Sequence, residues 1–134
     1  MTKDKAYHKY LEDFMKIAFP DAPVKENDYF HCYATQAPDD AILPYMVYQY
    51  KDATFEDGPY YANIKIWSNS GSEAKLNQVV TMLRKYIDEN DLIRCDEGGI
   101  IVYGIENVNP VPTEWEGIPR VRSIELKLEN ITRY

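Results

Sequence analysis

Only two cysteines, Cys32 and Cys95, occur in the 134 residues. Two thiols do not make a disulfide framework, so the simplest reading is a protein made in a reducing cytoplasm. Long apolar runs are missing as well. None exceeds the length of Ile100-Ile101-Val102-Tyr103, whereas a membrane-spanning helix needs about twenty apolar residues. No membrane partner is expected. The segment Met1 to Lys9 lacks the apolar core of a secretion signal. Glycine (6) and proline (8) are too few for a low-complexity linker chain. Basic charge is scarce: 15 Lys and Arg stand against 22 Asp and Glu, for a net charge of -7. Such a chain repels polyanions on average, so specific nucleic-acid binding is not expected. A local basic stretch could be Arg120, Arg122, Lys127 and Arg133, but Glu125 and Glu129 interrupt it.

Signatures of chemistry are also few. The sequence holds no G-x-G-x-x-G, no phosphate-binding P-loop and no G-x-S-x-G. There are only two histidines. His8 precedes Glu12 by four residues on a predicted helix, a spacing that a two-ligand metal site could use. A solvated helix face accounts for it more simply. His31 adjoins Cys32, but neighbours on a strand point to opposite faces, so they do not form a nucleophile–base pair. The acidic pairs Asp39-Asp40, Glu56-Asp57 and Asp88-Glu89 all fall at predicted turns or helix ends, where carboxylates are ordinarily solvated. No catalytic residue, metal or cofactor is expected.

What is present is an ordinary globular mixture. Apolar residues are 45% and charged residues 28%, enough to close one core and to exclude extended disorder. Tyrosine is abundant at 12 residues; its apolar body and polar tip suit surfaces that become interfaces. Tyr7, Tyr10, Leu11, Phe14, Ile17 and Ala18 repeat with helical spacing and predict a helix over 3–18, ended by Pro20 and Pro23. Tyr29 to Tyr33 predicts a strand, and so does 44–50. Residues 60–67 predict a half-buried strand, with Tyr60, Ala62, Ile64 and Ile66 on one face and Tyr61, Asn63, Lys65 and Trp67 on the other. The last two strands would form a hairpin with its tip near 52–58.

Ser70-Gly71-Ser72-Glu73 matches the capping box S-x-x-E, so a second helix is expected over 71–89 with Ser70 as its cap. Leu76, Val79, Val80, Leu83, Tyr86 and Ile87 mark its apolar face. A short strand at 92–95, a turn at 96–99 and a buried strand at 100–105 follow. The prolines at 110, 112 and 119 predict a long loop over 106–119. A final strand at 121–132 alternates Ile124, Leu126 and Leu128 with Glu125, Lys127 and Glu129. The order argues for one α+β domain over 1–134: a mainly antiparallel β-sheet with two α-helices packed on it.

Several segments carry a resemblance when taken in order. They are the N-terminal helix, Leu43-Pro44-Tyr45-Met46-Val47-Tyr48, a charged hairpin tip, Ala62-Asn63-Ile64-Lys65-Ile66-Trp67, Ser70-Gly71-Ser72-Glu73-Ala74, and Ile124-Glu125-Leu126-Lys127-Leu128-Glu129. Together the chain resembles the tail terminator (tail completion) proteins of long-tailed bacteriophages and phage-tail-like particles. The long proline-rich loop and the strand pair after the second helix depart from that pattern. The resemblance implies a structural protein of the virion tail, made and assembled in the cytoplasm of the bacterial host. Such a protein forms a homo-hexameric ring that caps the tail tube, ends tube polymerisation and provides the head-joining surface. Its partners would be copies of itself, the tail tube protein and head–tail connector proteins, with DNA passing through without specific binding. Candidate interface residues are Tyr61, Lys65 and Trp67 on the third strand, and Phe55, Glu56 and Asp57 at the hairpin tip. Two alternatives stand beside this. One is a head–tail joining protein. The other is a small α+β ligand-binding domain or enzyme, which calls for a concave site of about 300–1,000 Å³.

Overall fold

The computed structural model describes residues 1–23, 31–51, 58–96, 98–112 and 120–132. The first helix, α1 (Lys3–Ala18), forms where expected and buries Tyr7, Tyr10, Leu11, Phe14 and Ala18. Ile17 is exposed and Met15 is buried. Both lie at margins of the apolar arc, and packing rather than periodicity decides which margin is covered. Three strands follow: β1 (Cys32–Ala34), β2 (Tyr45–Tyr48) and β3 (Tyr60–Ser68). The second helix, α2 (Glu73–Glu89), leads to β4 (Leu92–Cys95), β5 (Gly98–Val111) and β6 (Arg120–Thr132).

The strands make one six-stranded sheet in the order β1-β2-β3-β6-β5-β4. All neighbours are antiparallel except β1 and β2, which are parallel. A parallel pair cannot be joined by a tight turn, and the chain returns through 35–44. The fold is thus α+β, with a mixed and mostly antiparallel sheet.

Both helices pack on one face of the sheet. Met46, Tyr48, Tyr60, Ala62, Ile64, Ile66, Ile124, Leu126 and Leu128 point into that layer with the apolar faces of α1 and α2. Every second residue of β3 is buried, which is the alternation a sheet with one covered face demands. Ile100 and Val102 join the core, but Tyr103 between them and the bulge is exposed. The stretch 100–105 is therefore half-buried, not buried on both sides.

Two further sequence expectations fail for definite reasons. First, 106–119 is not one long loop: β5 runs on to Val111, paired opposite β6 as far as Val121. β4 covers only Gly98 to Ile101 of β5, so beyond that point β5 lies at the sheet margin. A proline is tolerated on such an edge because no neighbour needs its missing N–H, and Pro110 sits there opposite Arg122. The remainder of the expected loop, 113–119, lies outside the described residues.

Second, the cap of α2 is Ser72, whose Oγ accepts from the Ala74 N–H at 3.2 Å. Ser70 Oγ accepts instead from the Ser72 N–H, at 3.1 Å, and Ser68 Oγ accepts from the Ser70 N–H, also at 3.1 Å. The capping box did not form because the Glu73 carboxylate is taken elsewhere. It pairs with the buried Arg122 and lies 3.5 Å from Arg120 Nε, both on β6. An anion in the first turn of α2 also suits the helix dipole.

Candidate functional site

The histidines and Cys32 are committed to structure. His8 Nε2 lies 3.0 Å from Glu12 Oε2, and its Nδ1 lies 2.8 Å from the Tyr48 hydroxyl. Both ring nitrogens are used, and Glu12 also receives Lys16 Nζ at 3.1 Å. These contacts tie α1 to β2. Burial pushes the Tyr48 phenol up to about 12, so it stays a neutral hydroxyl. His31 is fully buried, with Nδ1 2.5 Å from the Pro44 carbonyl oxygen and Nε2 against that of Pro23. Burial raises the Cys32 thiol far above its ordinary range, the opposite of what a thiolate nucleophile needs.

The three described members of the basic stretch near the C-terminus do not assemble into an open patch. Arg122 is buried against Glu73, and Arg120 Nε donates to the Gly71 carbonyl oxygen at 3.1 Å. The Lys127 ammonium sits 5.5 Å from the centre of the Tyr103 ring. Arg133 lies outside the described residues.

What stands out is the sheet face opposite the helices. Tyr61 is 49% exposed there, and Lys65 is exposed. Trp67 is half-buried because its ring stacks on Tyr45, 5.0 Å between centres at 23°. Tyr45 in turn meets Tyr33 of β1 edge-on at 6.0 Å. The three aromatics form a row across β1, β2 and β3. Phe55, Glu56 and Asp57 lie outside the described residues.

The same face continues onto strands that sequence patterning did not assign to it. Tyr61 lies opposite Lys127, and Ile101 lies between Glu129 and Leu92. Tyr103 is 51% exposed and donates its hydroxyl proton to Glu129. That bond and the neighbouring charge raise the phenol above its ordinary value. Leu92 and Ile131 are each 40% exposed. The alternation of Ile100 and Val102 with Ile101 and Tyr103 carried this signal. The strand pairing that brings Tyr103 beside Lys127 was not available from spacing.

At the β4 margin of this face there is a notch of about 450 Å³, lined by Leu92, Arg94, Cys95, Gly98, Gly99 and Ile131. Its floor is bare backbone. A Cβ on Gly99 would stand 2.8 Å from the Ile93 carbonyl oxygen, so only glycine fits there. By volume the notch falls within the range of ligand sites. Volume therefore does not separate an assembly protein from a ligand-binding domain. Among the described residues its one charged group is Arg94, without the several convergent polar groups that fix a small ligand. No protein-family model matches the chain, and no curated protein matches it.

Proposed function

We propose that the protein is a structural tail protein that forms a ring on the end of a phage or prophage tail tube. The ring ends tube polymerisation and offers the surface to which the head connector joins. The observation that carries this reading is the aromatic-studded sheet face with both helices on its other side. Large exposed aromatics on a face with no helix over it are typical of surfaces that bind another protein. Support also comes from the fate of the chemistry-bearing side chains, since His8, His31 and Cys32 all serve packing. The net charge of -7 suits a ring through which DNA slides, because like charge opposes sticking.

Deletion of the gene in its parent phage or prophage tests the reading. Tails of irregular length that fail to join heads are expected, while tube subunits still polymerise. Tails of normal length without heads would replace termination by a head–tail joining role. Normal infectious particles would remove both and leave the notch as the site of a ligand-binding domain.

A further inference from the structure

The two margins of the sheet differ in a complementary way. The β4 margin carries the notch, apolar on both walls through Leu92 and Ile131, with the Arg94 guanidinium at its edge. No carboxylate among the described residues pairs with Arg94. At the other end of the strand order stands the return loop from β1 to β2. There Ala41 N–H donates to the Pro38 carbonyl oxygen at 3.0 Å, a turn that presents Asp39 and Asp40 to solvent. Neither carboxylate has a cationic partner among the described residues. Two residues on, Ile42 is 43% exposed, a large aliphatic group with no core role.

One margin is thus an apolar socket beside a cation, and the other is an apolar knob beside two anions, none of the three charges being ion-paired among the described residues. Five strand spacings of about 4.8 Å put them roughly 24 Å apart, too far for the knob to enter its own socket. We infer that the notch receives the Ile42 loop of a second copy of this chain, with Asp39 and Asp40 facing Arg94. This deepens the ring reading and rests on it. A contact between two different patches on opposite margins is heterologous, and repeated it closes into a ring or runs on as a filament. The apolar insertion supplies the attraction, and the charges fix which margin meets which.

Native Cys95 lines the notch and is only half-buried, whereas Cys32 is buried. Ile42→Cys in the full chain therefore places a thiol on the knob opposite one in the socket. A disulfide forms only when the two Cα atoms come within about 7 Å, so oxidation traps even brief encounters. Concentrated I42C protein treated with diamide should give a ladder of covalent oligomers on a non-reducing gel. Wild type and the I42C/C95S variant should give none. Arg94→Glu in the I42C background should cut the ladder several-fold, and D39K/D40K added to it should restore the ladder. Absence of a ladder from I42C, or a ladder indifferent to R94E, overturns the contact. Far-UV circular dichroism of each variant separates loss of contact from loss of fold. If the ladder is absent while deletion still gives tails of irregular length, the ring stands and uses another surface. If the ladder forms and deletion leaves infection normal, the contact stands and the tail role falls.

Discussion

At the scale of single residues, the serines before α2 show how a neighbour can redirect a local motif. Ser70 and Glu73 have the spacing of a capping box, yet Arg120 and Arg122 of β6 hold the carboxylate. The cap therefore falls to Ser72. Ser72→Ala should cost about 0.5–2 kcal/mol, the usual worth of an N-cap side chain. Ser70→Ala should cost clearly less, since its Oγ serves only the turn outside the helix. Urea unfolding of the two variants checks the order, and the reverse order would return the cap to Ser70. Removing the Glu73 carboxylate acts differently. Among the described residues, Glu73→Ala leaves the buried Arg122 guanidinium with Asn77 Oδ1 at 3.5 Å and the Val121 carbonyl oxygen at 3.4 Å. A loss of about 1–3 kcal/mol is expected, and an E73A protein as stable as wild type would show that the pair is not needed.

At the scale of elements, α2 and β6 are the two sides of the same core. Leu83 on α2 and Leu126 on β6 have no solvent exposure. An aspartate at either position would bury an unpaired charge at a cost of several kcal/mol, comparable to the stability of a small domain. L83D and L126D should therefore fail to show a cooperative thermal transition. Leu83→Ala, which only opens a cavity, should remain folded and lose about 2–5 kcal/mol. A native-like melting curve for L83D would refute the placement of the helix face. The β5–β6 pairing lies on the same scale. Pro110 reads in sequence as a strand breaker, but at the margin of the sheet its missing N–H costs nothing.

At the scale of the whole molecule, the tyrosines link the core to pH. Burial raises the phenols of Tyr48 and Tyr86 from 10.0 to about 12, and those of Tyr7 and Tyr10 further. Each of these groups binds its proton more tightly when folded than when unfolded. The stability they contribute is whole below pH 10 and is lost as pH climbs from about 10 towards 12. The phenolate absorbance of these buried tyrosines should thus rise only together with loss of the circular dichroism signal. Smooth titration of all 12 tyrosines with the fold intact would contradict the burial of this set.

The sequence by itself determined what local periodicity controls. α1, the apolar face of α2, the alternation of β3 and the extent of β6 follow from residue spacing, because burying one face of a helix or strand imposes a fixed repeat. In sequence the candidate face rests on the alternation of β3 alone, at Tyr61, Lys65 and Trp67, although Ile101 and Tyr103 carry the same signal. Tertiary structure decided whatever depends on which strands become neighbours. The parallel β1–β2 pair, the marginal position of Pro110 and the capture of Glu73 by Arg122 join residues far apart in the chain. Spacing carries no record of such contacts, which are set by how the two layers close on each other. The notch at Gly98 and Gly99 and the Ile42 loop became opposite margins of one sheet for the same reason.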